Sequence, residues 1–186
     1  MNKENIVFIP GWLDEGRFCG YENSLDIWTR KDLGVKASFK EKLVVAHSAG
    51  AVAALLNWED NKESKFIFFG PMFPKRSFFS WVYRWFMFIF NEGVPRQMRS
   101  IDSLKNIFWG LKVLRQIAKV DSLEILKKIP KEKVIIVRGA KDKYFCNEKV
   151  CEKIRKEGFN VFEIEDAGHN WTEEVNKFLN KYYQYE

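Results

Sequence analysis

The sequence predicts an α/β domain built on a mostly parallel central sheet flanked by helices, and three observations carry that prediction. Short apolar runs rich in β-branched and aromatic residues recur at Ile6–Ile9, Leu43–Ala46, Phe66–Phe69, Val134–Val137 and Val161–Ile164, the pattern of strands covered on both faces. Helix-length segments stand between several of them, at Ala49–Trp58, Asp102–Lys128 and Asn147–Glu157, with a closing helix from Thr172 to about Tyr183. Strands alternating with helices need crossover connections, and crossovers make parallel pairs. Finally, 186 residues with 46% hydrophobic and 16% aromatic content supply a single buried core and lie far from a disordered composition.

Taken in order, the first run ends at Gly11, and the stretch from there to Ser48 is short, with Leu25–Trp28 the one further candidate strand and little room for helices around it. The opposite holds after Phe69, where residues 70 to 133 separate two strands and read as helical. Within that insertion, Ser77 to Phe90 contains Phe78, Phe79, Trp81, Tyr83, Trp85, Phe86, Phe88 and Phe90. A helix apolar on nearly every side must be covered on several faces or must line a pocket. No repeat, low-complexity tract or flexible linker is visible, so the expectation is one domain, 1–186, with residues 71–130 inserted in it.

Composition removes several function classes. The formal charge of +6 arises from 31 Lys and Arg against 25 Asp and Glu, and clusters such as Lys127, Lys128, Lys131 and Lys133 alternate with acids as solvated faces do. No nucleic-acid motif accompanies the charge. Cys19, Cys146 and Cys151 form an odd set without a metal-type pairing and read as free thiols of a reducing compartment. The run Ile6–Ile9 is too short for a signal-peptide core, so a cytoplasmic location is expected. Phe78–Phe90 has Arg84 in its middle and falls short of the roughly 20 residues of a membrane span. No metal cluster, phosphate-binding glycine loop or dinucleotide fingerprint appears, so neither metal nor cofactor is expected.

The chemistry concentrates where strands end. Leu43-Val44-Val45-Ala46-His47-Ser48-Ala49-Gly50-Ala51 is a strand, a tight small-residue turn holding a serine, and an Ala-rich helix start. Such a turn presents the hydroxyl beside a helix N-terminus, where backbone N–H groups favour developing negative charge. A serine hydroxyl needs a base to take its proton, usually a histidine. Only two exist. His47 adjoins Ser48, where neighbouring side chains diverge, and reads as a positioning residue. His169 lies in a loop, Glu165 to Trp171, between the last strand and the last helix.

The segment around Ser48 resembles the nucleophile elbow of the α/β-hydrolase family, G-x-S-x-G, with Ala46 at the first glycine. The loop of His169 is similar to that family's catalytic-histidine loop, and Val134 to Asp142 supplies strand, glycine and aspartate at its spacing. The order Ser48, Asp142, His169 is the family's order. The resemblance implies an α/β-hydrolase fold with Ser48 as nucleophile, His169 as general base and Asp142 orienting it; Asp166 is the next candidate acid. It also implies an oxyanion hole from the backbone N–H groups of Ala49 and Trp12, the latter in Phe8-Ile9-Pro10-Gly11-Trp12-Leu13, similar to the family's His-Gly-X turn with Pro10 in place of histidine.

By the same resemblance, residues 71–130 correspond to a small helical cap whose aromatics, Phe73, Trp81 and Trp85 among them, either line an apolar substrate pocket or pack the cap onto the sheet. The implied activity is cleavage of a small-molecule carboxylic ester through an acyl-enzyme. A thioesterase or acyl-carrier-protein ester hydrolase is the near alternative, and a non-catalytic binding protein using the aromatic cap is the rival of another class. Lys75, Arg76, Arg84, Arg96 and Arg99 beside the apolar run suggest a peripheral membrane or acyl-carrier contact as a further reading.

Overall fold

The structure, a computed structural model, describes residues 5–26, 39, 43–93 and 107–183. Five strands, β1 (Ile6–Ile9), β2 (Leu43–His47), β3 (Lys65–Phe69), β4 (Val134–Gly139) and β5 (Val161–Ile164), form one sheet in the order β1-β2-β3-β4-β5 with every neighbouring pair parallel. The register sets Ile9 beside Ala46, His47 beside Phe69 and Gly139 beside Ile164. All five carboxyl ends therefore share one edge of the sheet, and the segments following them meet there. The candidate strand Leu25–Trp28 appears only as an isolated parallel bridge between Phe8 and Ser24 on the outer side of β1; Ile27 and Trp28 lie outside the described residues.

Among the described residues six α-helices accompany the sheet: α1 (Ala49–Leu56), α2 (Phe78–Glu92), α3 (Ile107–Ile117), α4 (Ser122–Leu126), α5 (Glu148–Lys156) and α6 (Glu173–Tyr183). Asp102–Lys128, expected as one helix, is broken after Ile117, and Asp121 restarts it by accepting a hydrogen bond from the Glu124 N–H at 3.5 Å as the cap of α4. A side-chain acceptor that satisfies a fresh helix N-terminus competes with continuation of the preceding helix; residues 102–106 lie outside the description. None of the described helices is long and apolar enough to cross a membrane.

Alternation along the strands divides the core in two. Val7, Ile9, Val44, Phe66, Phe68 and Ile136 face α1 to α5, while Ile6, Phe8, Val45, Ile67, Phe69 and Val137 face α6 and the segment around Tyr21. Full burial of each such side chain contributes about 1.5–3 kcal/mol. The reading of strands covered on both faces fails at β5, where Phe162 is 40% exposed. Being outermost, β5 has no neighbour to shield its far side, and Glu163 uses the position to pair with Arg138 and Arg155.

Candidate active site

Ser48 sits between β2 and α1 with φ 53° and ψ −116°, a conformation that non-glycine residues seldom adopt and that surrounding structure must enforce. Its N–H donates to Phe69 O at 2.9 Å, and its carbonyl accepts from the Met72 N–H at 3.3 Å. The small neighbours have a steric cause. A Cβ on Gly50 would run into the carbonyl oxygens of Ile9 and Pro10, and one on Gly11 would stand 3.3 Å from Ser48 Cβ. The turn carrying Trp12 is thereby laid directly beside the serine.

Ser48, His169 and Asp142 are joined in a relay. His169 Nε2 is 2.8 Å from Ser48 Oγ, and His169 Nδ1 is 2.7 Å from Asp142 Oδ2. Asp142 also accepts backbone N–H bonds at 3.0 Å from Tyr144 and Phe145 on Oδ1 and from Cys146 on Oδ2. A carboxylate so supplied with donors stays ionised and accepts a hydrogen bond from Nδ1–H, which leaves the Nε2 lone pair facing the hydroxyl. Burial alone would raise the Asp142 pKa, but the His169 imidazole and these donors outweigh it and hold the carboxyl below its ordinary range. Burial dominates at His169, pushing its pKa below the ordinary 6.5 against the upward pull of Asp142. Phe145 covers the ring, with centroids 4.2 Å apart. Gly70, at φ 52°, lies below it, where a Cβ would stand 3.1 Å from Nδ1. Asp166 is elsewhere, exposed and paired with Lys141 at 3.0 Å.

Behind the relay stands His47, expected as a positioning residue, together with Asp14, which the sequence did not flag. His47 Nε2 donates to His169 O at 2.9 Å, and His47 Nδ1 lies 3.7 Å from Asp14 Oδ2. Asp14 is buried; the one sequence signal for it is its place at the end of the Gly11 turn, closed by its own N–H bonded to Gly11 O at 3.1 Å.

Above Ser48 and His169 is a cavity of about 40 Å³ walled by Met72, Trp81, Trp85, Phe88, Leu114 and Phe145. Trp81, Trp85 and Phe88 follow the i, i+4, i+7 spacing of one helical face, a signal that singles out Phe88 as well. Phe73, expected in this wall, belongs instead to the core. It is fully buried and meets Phe68 edge-on at 5.3 Å, because adjacent side chains of an extended segment point to opposite sides and Met72 takes the cavity side. Trp12 Nε1 donates to Gly110 O of α3 at 2.8 Å, and its ring packs edge-on to Trp85 at 4.8 Å. Ala49 is the first residue of α1, so its N–H has no partner within that helix. Among the described residues no group of three or more His, Cys, Asp or Glu is placed to hold a metal ion.

No family model matches this sequence, and no curated protein matches it. Solved structures do resemble it in three dimensions. A candidate aryl esterase from Burkholderia cenocepacia is similar with TM-score 0.65 at 14% identity, over 97% of this chain and 88% of that one. A hydrolase from Oleispira antarctica gives 0.62 at 10% identity, over 97% and 91%. A carboxylesterase of the thaumarchaeon Nitrososphaera gargenis gives 0.60 at 11% identity, over 96% and 89%. With its parallel sheet, its serine turn after β2 and its neighbours in structure, the chain has the α/β-hydrolase fold.

Proposed function

We propose that the protein is a serine hydrolase that cleaves a carboxylic ester through an acyl-enzyme, with Ser48 as nucleophile. The observation that carries this reading is the unbroken chain of short hydrogen bonds from Ser48 Oγ through His169 to Asp142. The esterases and hydrolases among its neighbours in fold support it. Neutral His169 takes the hydroxyl proton as Ser48 Oγ attacks the ester carbonyl, and Asp142 stabilises the resulting imidazolium. The N–H groups of Ala49 and Trp12 receive the oxyanion, each contributing about 3 kcal/mol of barrier lowering. His169 then gives its proton to the departing alkoxide. Water, activated by the same imidazole, cleaves the acyl-enzyme and returns the proton to Ser48.

In this reading α2 to α4 act as a cap. The small cavity beneath them, walled by apolar side chains over Ser48, takes a short acyl group in this reading. A fluorophosphonate probe tests the proposal: wild type is labelled at Ser48, and Ser48→Ala loses both the label and ester turnover by at least about 10⁴-fold. Folded wild-type protein that takes no label, or labelling that survives in Ser48→Ala, overturns it.

A further inference from the structure

The inner face of α2 bears Trp81, Trp85, Phe88 and Glu92, which look toward the cavity and the His169 loop. Its outer face is also aromatic. Phe79 is 79% exposed, Tyr83 65%, Phe86 60% and Phe90 87%, a spacing of i, i+4, i+7 and i+11 that aligns them in one stripe. The neighbouring α3 adds Phe108 at 80%. These five are the most exposed large hydrophobic side chains among the described residues. Such side chains occur singly on ordinary surfaces, whereas a contiguous patch marks an interaction site.

The charge around the patch is predominantly basic. Lys112, Arg115 and Lys119 follow Phe108 along the exposed side of α3 and its end, again at i, i+4, i+7 and i+11. Along α2 and α3 the single acidic residue is Glu92, at the last position of α2 and turned toward the His169 loop. Arg115 lies over the Phe78 ring at 5.1 Å, while Trp12 touches both Trp85 and Gly110. The two helices therefore run in opposite directions side by side, and bring Phe108 toward the Phe86–Phe90 end. Aromatic side chains backed by Lys and Arg, with acids scarce, are the composition of helices that lie in the plane of an anionic lipid interface.

We infer that the outer face of α2 and α3 docks on the headgroup region of an anionic bilayer, with Phe79, Tyr83, Phe86, Phe90 and Phe108 inserted and Lys112, Arg115 and Lys119 on the acidic headgroups. The same helix that enters the interface walls the cavity with its other face. Docking thus sets the cavity mouth close to the bilayer, where esters of lipophilic alcohols concentrate. This last consequence rests on the ester-hydrolase reading; the docking itself does not.

Flotation with vesicles tests it. Full-length protein is mixed with phosphatidylcholine vesicles, with or without roughly one-third phosphatidylglycerol. The expected result is flotation with the anionic vesicles, reduced at high salt and weak with neutral ones. Phe90→Ser/Phe108→Ser and, separately, Lys112→Glu/Arg115→Glu each lower the bound fraction at least about fivefold while turnover of a short soluble ester is unchanged. Absence of wild-type flotation overturns the proposal, as does flotation indifferent to both variant pairs. So does lipid-free self-association that these variants abolish, which would make the face an interface between copies. Failure of the fluorophosphonate experiment leaves flotation unaffected, so the two readings fail separately.

Discussion

At the scale of single residues, His169 is held neutral by burial and oriented by Asp142, and its acid–base behaviour sets a testable limit. Because its folded pKa is below 6.5, the acidic limb of kcat/KM has its midpoint below pH 6.5, and Ser48-dependent turnover persists under mildly acidic conditions. A midpoint at or above 6.5 contradicts the buried geometry. The sign carries over to stability. The unfolded chain binds the proton more readily, so the contribution of His169 is fully present above pH 6.5 and is lost as pH falls from there through the folded pKa. Asp142→Asn presents an amide to three N–H donors and to Nδ1, favours the wrong tautomer, and lowers kcat on the order of 10³- to 10⁴-fold; Asp166→Asn, at the surface with Lys141, leaves kcat unchanged. Steady-state kinetics of both variants separates the two acids. That Ser48, Asp142 and His169 would meet was an expectation drawn from the resemblance of three strand-ending segments to the α/β-hydrolase pattern, and the parallel sheet brings them together because it delivers its strand ends to one edge. Asp14 and Phe145 were not legible in the sequence. Asp14 comes to lie beside His47 and Phe145 against His169 through the way loops from distant strands fold over one another, which no local pattern encodes.

At the scale of elements, the strands were legible as short apolar runs, and their bounds shifted by no more than two residues. Segment 102–128 was not legible as two helices, because periodicity continues across Val120 and only the cap made by Asp121 interrupts it. The packing of α3 on the Gly11 turn was likewise hidden, since it depends on an absent side chain. At Gly110 a Cβ would approach Leu13 Cδ2 to 2.6 Å and Trp12 Nε1 to 2.9 Å. Gly110→Val therefore lifts α3 from the turn. It is expected to cost about 1–3 kcal/mol through overpacking, although replacing a helical glycine by a better helix former on a free face stabilises. Thermal denaturation reads this cost, and a rise in melting temperature would refute it.

At the scale of the whole molecule, the described helices are unevenly shared, with α1 to α5 on one side of the sheet and α6 on the other. The cap rests on the crowded side and leaves a cavity of about 40 Å³ over the serine. Acetyl and propionyl esters should accordingly be turned over at least about tenfold faster than the octanoyl ester, since forcing a longer chain into filled space costs roughly 1–3 kcal/mol. A chromogenic ester series of increasing acyl length measures this, and a rate that climbs with length would rule out this cavity as the acyl site. The indole hydrogen bond between Trp12 and Gly110 O has a consequence for how such a molecule can diversify. Exchanging residues 71–130 for a foreign segment would orphan a buried donor and release the loop that adjoins Ser48. A graft at that boundary would therefore disturb the candidate site together with the cavity above it, so the Trp12 loop and α3 have to be exchanged as one unit.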